Sequence, residues 1–172
     1  IINDVVSRNA SLSNAKVYSV YIASDIDPRF AGGLGTEADP YIIKTEAQLR
    51  YLENHGNRPR NNTAMRLHFR LANDIALSEP WTTLYQADDS LSDDGFQNVL
   101  DGAGYTISGL DIRAENYAVP MVGLFGKLSG KILNLTVTGS IRASASSTMT
   151  KEINTLSAGG LAGMMLGGLI EN

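Results

Sequence analysis

A pair of glycine-bounded blocks occurs twice in the second half of the chain, in the same order and at nearly the same spacing. Gly123-Leu124-Phe125-Gly126 returns as Gly160-Leu161-Ala162-Gly163, and Gly130-Lys131-Ile132-Leu133-Asn134 returns as Gly168-Leu169-Ile170-Glu171-Asn172, at offsets of 37 and 38 residues. A second echo joins Ile107, Leu110 and Ile112 to Ile132, Leu135 and Val137; both segments follow a glycine turn and spell Ile-x-x-Leu-x-(Ile/Val), at an offset of 25. Repeats of this length are units that bury their apolar face by stacking on a neighbour. Inward residues then form apolar columns, and the corners need Gly or Asn to change direction without strain. The echoes predict stacked strand turns, with Ile107, Leu110 and Ile112 directly over Ile132, Leu135 and Val137. The extra length of the longer echo fits a polar loop between Ala143 and Thr155.

The rest of the chain agrees with short strands. Lys16-Val17-Tyr18-Ser19-Val20-Tyr21-Ile22 alternates with period two, as a single strand does. Gly32-Gly33-Leu34-Gly35 leads into Asp39-Pro40, a turn cluster, because glycine permits positive φ and Pro40 forbids helix through Asp39. Thr45 and Gln48 form a capping box, followed by apolar Leu49, Tyr51 and Leu52 and ended by Asn54, His55 and Gly56. From Leu67 onward, apolar alternations such as Leu67-His68-Phe69-Arg70-Leu71 and Ile75-Ala76-Leu77 are separated by Asn, Asp, Gly and Ser.

The predicted fold is all-β: a right-handed parallel β-helix, or solenoid, of few turns, with one short capping helix near residues 45–54. A β-sandwich is the competing architecture. Residues 1–28 read as an N-terminal strand or linker, or the end of an upstream module, and residues 29–172 as the solenoid. Because the last strand starts at Gly168 and stops at Asn172, the module is expected to be truncated at its C-terminus.

Composition removes several function classes. The 172 residues carry 14 basic and 18 acidic side chains, a net charge of -4. The basic residues are scattered, with Arg58, Arg60, Arg66 and Arg70 loosely grouped, which is not the concentrated face that displaces counterions from nucleic acid. With no cysteine there is no disulfide scaffold, thiolate metal site or thiol nucleophile. The most apolar stretch, residues 158–170, is broken by five glycines and is too short to span a membrane as a helix.

The chemistry-bearing residues are few. His55 and His68 are thirteen apart and form no His-Glu-x-x-His pair, so they read as surface or strand histidines. Gly32-Gly33-Leu34-Gly35 lacks the Lys-Ser/Thr of a phosphate loop. Asp88, Asp89, Asp93 and Asp94 gather four carboxylates in one loop, a candidate Ca²⁺ site with no EF-hand spacing; no other cofactor is implied. Asp74, Asp101 and Asp111 are the carboxylates a glycoside-cleaving solenoid would use, but each sits at a strand end or beside a glycine, where Asp bonds nearby amides. Trp81, Tyr85 and Phe96 flank the acidic loop and are candidate ligand-binding aromatics, with core packing as the competing role.

At these residues the chain resembles bacterial surface proteins carrying the GLUG motif. That signature is a Gly-Leu-x-Gly turn (residues 123–126), a Gly-x-Ile-x-Asn strand entry (residues 130–134) and a Val-x-Gly (residues 137–139). The resemblance extends upstream in order through Gly33-Leu34-Gly35, Tyr41-Ile42-Ile43, Gln48-Leu49, Leu71-Ala72-Asn73-Asp74-Ile75, Trp81 and Leu100-Asp101-Gly102-Ala103-Gly104, covering residues 30–172. Met164-Met165-Leu166 departs from the pattern, which has a polar linker there. The family includes adhesins, and its motif also occurs as an accessory region of bacterial immunoglobulin-A metallopeptidases. The resemblance implies a cell-surface or extracellular location on a large exported protein and supplies no catalytic residue. The expected function is a non-catalytic adhesion or structural module presenting loops to a host or self glycan or protein; the alternative is an accessory or partial domain of a secreted enzyme.

Overall fold

The computed structural model describes residues 27–54, 66–85, 95–117, 121–145 and 156–172. The strand expected at residues 16–22, the loop carrying Asp88, Asp89, Asp93 and Asp94, most of the predicted polar loop after Ala143, and His55 lie outside the described residues.

The described chain is all-β with one short helix. Its elements are β1 (Tyr41–Ile43), α1 (Glu46–Arg50) followed by a 3₁₀ turn (Tyr51–Asn54), β2 (His68–Leu71), β3 (Ile75–Ala76), β4 (Val99–Asp101), β5 (Thr106–Tyr117), β6 (Met121–Val122), β7 (Phe125–Leu128), β8 (Lys131–Leu133), β9 (Thr136–Ala145), β10 (Ser157–Ala158), β11 (Ala162–Met165) and β12 (Leu169–Glu171). They form a five-stranded sheet in the order β1-β2-β4-β8-β12, a three-stranded sheet β3-β5-β9, and the pairs β6-β10 and β7-β11. Every pairing between these strands is parallel. An antiparallel sandwich has no such pattern.

Parallel neighbours need a long crossover, and here other strands supply it. From β4 to β8 each strand pairs with the fourth strand after it: β4 with β8, β5 with β9, β6 with β10, β7 with β11 and β8 with β12. Leu84 and Phe96 occupy the same places one level earlier, bridging to Phe125 and Leu128.

The register stacks like on like. Tyr41, Phe69, Leu100, Ile132 and Ile170 are successive partners across the five-stranded sheet, and all but the last are buried. Ile75, Ile107 and Val137 form a second column. Between them the aromatic rings stack, with Phe30 4.8 Å from Tyr41 and Phe96 4.5 Å from Phe125. Offset ring pairs at these distances add to the area they bury.

The 37- and 38-residue echo matches this pairing. Ala162 lies beside Phe125, and Ile170 beside Ile132, both as aligned from the sequence. At Gly130 of the echo glycine has a steric cause: a Cβ there would be driven into the backbone carbonyl of Asn98, on the neighbouring strand segment.

The 25-residue alignment is corrected by the structure. Ile107 lies beside Val137, Ile112 beside Ile141, and Ile132 beside Leu100. Ile107, Leu110 and Ile112 share one strand, β5, which is irregular between Ile107 and Leu110 around Gly109 at φ 78°. Ile132 and Val137 belong to two strands, β8 and β9, separated by a corner at Asn134 with φ 49°. One spelling thus serves a bulged strand in one place and strand-corner-strand in the other.

The capping box forms as read. Thr45 Oγ1 accepts from the Gln48 amide at 3.2 Å, and Gln48 Oε1 accepts from the Thr45 amide at 3.3 Å. This places Leu49 and Leu52 in the core. The Ala31 amide donates to Ile42 and the Ile42 amide to Gly32, so the chain covers the outer edge of β1.

Candidate functional site

Alternation along the strands of the five-stranded sheet sends one set of side chains inward and the other out. The outward set falls into two rows. One runs His68, Val99, Lys131, Leu169; the other runs Ile42, Arg70, Asp101, Leu133, Glu171. The middle of these rows, rimmed by Glu37, Ala38 and Pro40, lines an open hollow of about 300 Å³. That volume lies at the lower end of ligand-sized sites. A second hollow of about 350 Å³, bounded by Ile42, Ala72, Ala103 and Tyr105, shares Arg70 with the first.

Asp101 is the fixed point of this face. Its Oδ1 accepts from the Ala103 amide at 2.8 Å and from Asn134 Nδ2 at 3.1 Å, holding Ala103 at φ 52°. Its Oδ2 lies 3.7 Å from Arg70 Nε, a loose ion pair. Burial holds the His68 imidazole below its usual pKa of 6.5; Glu37 opposes the shift and Lys131 and Arg66 add to it. The neutral ring offers one donor and one acceptor. The face therefore combines a cationic side, a neutral imidazole and two apolar patches, Val99 and Leu133.

The residues singled out from sequence lie elsewhere or are occupied. Trp81 and Phe96 are core residues: Trp81 donates Nε1–H to the Leu124 carbonyl at 3.1 Å, and Phe96 stacks on Phe125. Tyr85 is half-buried against Phe96 and Phe125, and its hydroxyl donates to the Leu52 carbonyl at 2.7 Å. The expected aromatic grip is thus core packing, because the columns need large rings where the sheets converge. Asp74 accepts from the Thr106 amide, 32 residues on, at 2.8 Å, and Asp111 pairs with nearby Arg113 at 2.7 Å, so both carboxylates are already engaged. Among the described residues no three His, Asp or Glu side chains converge as a metal site. Sequence reading took Arg70 only as part of a loose arginine group and Lys131 only as part of the repeat, and set His68 aside, since the register alone brings them together.

No family model matches the sequence. The chain is 30% identical over 128 residues to a protein of Evansella cellulosilytica provisionally named a Gly-rich membrane protein; the match takes in 72% of this chain and 14% of that one. The chain therefore spans about a seventh of the length of that relative. Among solved structures it aligns with a chain from Bacteroides ovatus provisionally assigned as an immunoglobulin A1 protease, at a TM-score of 0.43 and 23% identity over 64% of this chain and 30% of that one. Among the described residues no helix is long and apolar enough to cross a membrane.

Proposed function

We propose that the parallel sheets are the faces of a right-handed β-solenoid, and that this chain is a non-catalytic surface module of an exported bacterial protein. It holds its ligand against the outer face of the five-stranded sheet. The recurrence of each strand beside the fourth after it supports the solenoid, and strand-crossover-strand connections in one sheet are right-handed in nearly all proteins. The observation that carries the binding role is the hollow itself. His68, Arg70 and Lys131 line it together with Val99 and Leu133, on hydrogen-bonded neighbouring strands in parallel register. Rigid strands position such groups more firmly than loops do. The resemblance to GLUG-motif surface proteins agrees with this role, as does the membrane-protein name of the Evansella relative.

The test is an array of surface glycans and proteins, probed with the chain and with Leu133→Asp, which puts a charge in the hollow without touching the core. Binding that disappears in Leu133→Asp at unchanged melting temperature, with ligand recovered uncleaved, is the expected result. Accumulating cleavage products, or binding indifferent to the substitution, would overturn the reading.

A further inference from the structure

Outside this face the arginines with short ion pairs have their charge matched: Arg29 with Asp27, Arg50 with Glu46 and Arg113 with Asp111, each at 2.7 Å. On the outer face the pattern differs. Among the described residues neither Lys131 nor Arg66 has a carboxylate within ion-pair distance, and Arg70 reaches Asp101 only at 3.7 Å. Asp101 meanwhile spends its Oδ1 on Ala103 and Asn134. Lys131 lines the hollow with His68 and Arg70, and both Lys131 and Arg66 lower the His68 pKa. In a protein of net charge -4, Lys131 thus stands in this hollow without a carboxylate partner among the described residues, while Glu37 and Asp101 are the acidic groups of its lining and Asp101 is held by Arg70, Ala103 and Asn134.

The shape narrows the ligand further. Lys131 stands two strands from His68 in one row, about 10 Å away at the usual strand spacing. Val99 lies between them, and Arg70 and Tyr105 continue the groove into the second hollow. Both hollows are open and shallow, without the deep desolvated pocket in which a peptide anchors an aromatic or aliphatic side chain. A row of hydrogen-bonding groups interleaved with small apolar surfaces suits a polyol whose ring faces lie flat and whose hydroxyls point sideways.

We infer that the groove takes an acidic saccharide, a sugar chain bearing carboxylate or sulfate, with Lys131 on the anionic group, Val99 and Leu133 under the rings, and Arg70 and His68 on the hydroxyls. This assignment rests on the outer face being the ligand surface. Titration calorimetry at low and raised salt would use four probes: trigalacturonate, a sulfated heparin tetrasaccharide, neutral cellotriose and a hexaglutamate peptide. The protein would be the wild type, Lys131→Gln and Leu133→Asp, each checked for unchanged circular dichroism. One or both acidic saccharides should bind, weakening about tenfold in Lys131→Gln, as loss of a charge-assisted hydrogen bond does, and weakening further with salt. Which of the two binds separates carboxylate from sulfate. Cellotriose bound as well as the acidic sugars, unaffected by Lys131→Gln but abolished by Leu133→Asp, would overturn the acidic class and leave the groove standing. Hexaglutamate bound in place of the sugars would overturn it in favour of a peptide. No probe responding to Leu133→Asp would overturn the groove as well.

Discussion

At the scale of single residues, Glu46 links the cap to the stack. Its carboxylate accepts from the Ser78 amide at 2.9 Å and hydroxyl at 2.8 Å, and pairs with Arg50, whose guanidinium lies 4.5 Å from the centre of the Trp81 ring. Burial pushes its pKa up, but the Ser78 and Arg50 bonds outweigh that and bring it from the usual 4.5 to about 2. A depressed carboxylate stabilises the fold fully above its unfolded pKa and loses that contribution as pH falls through the folded one. Denaturant unfolding from pH 6 to 2 should therefore show stability falling below about pH 4.5, and Glu46→Gln should lose about 1–3 kcal/mol at neutral pH and flatten that slope. His68 provides a second residue-scale check. Removing the Lys131 charge in Lys131→Gln should raise its pKa toward 6.5, followed by the imidazole proton resonances; a value unmoved would place Lys131 away from the hollow. The Thr45–Gln48 box and the bond from the Ala103 amide to Asp101 were legible in sequence, because capping and Asp turns are local codes. Arg70, Asp101 and Lys131 are outward residues on separate strands, and their meeting is a property of register alone.

At the scale of elements, glycines divide into those the stack requires and those it tolerates. A Cβ at Gly130 would enter the Asn98 carbonyl, whereas one at Gly160 would meet nothing within 4 Å. Gly130→Ala should cost about 3 kcal/mol or more by chemical denaturation, and Gly160→Ala should stay within about 0.5 kcal/mol of wild type. Equal losses at both would mean that the levels are not in close backbone contact at Gly130. Core truncation should follow the same division: Leu100→Ala, fully buried between Phe69 and Ile132, should cost about 2–5 kcal/mol, far more than Ile170→Ala at 40% exposure. The 37- and 38-residue echo was legible because both copies keep the same strand lengths, and the offset grows by one where Gly167, at φ 74°, adds a residue to the second copy's corner. The 25-residue echo misled because β5 absorbs a bulge at Gly109 where the later level has a corner at Asn134. Spacings along one column also vary, from Tyr41 to Phe69, Leu100, Ile132 and Ile170, so no fixed period in the sequence reveals the outward rows.

At the scale of the whole molecule, the stack is asymmetric. The edge of β1 is covered by residues 31–32 and its level is packed beneath Leu49 and Leu52, while Leu169 and Ile170 on β12 are exposed. Native-state hydrogen exchange should show protection highest in β2, β4 and β8 and lowest in β12, since local opening follows burial. Uniform protection would contradict a stack that opens from one side. The account depends most on each level lying parallel on the one before it in the observed register, because the outer groove exists only if it does. The chain has no cysteine, so introduced pairs report without background. Val99 and Lys131 are register partners on adjacent strands, within the span a disulfide bridges. The decisive measurement is oxidative cross-linking of two double variants, Val99→Cys with Lys131→Cys and Thr106→Cys with Lys131→Cys, the second pair lying 25 residues apart. A disulfide in the first pair and none in the second is the predicted result; a disulfide in the second, or none in the first, would contradict the stacking and the groove built on it.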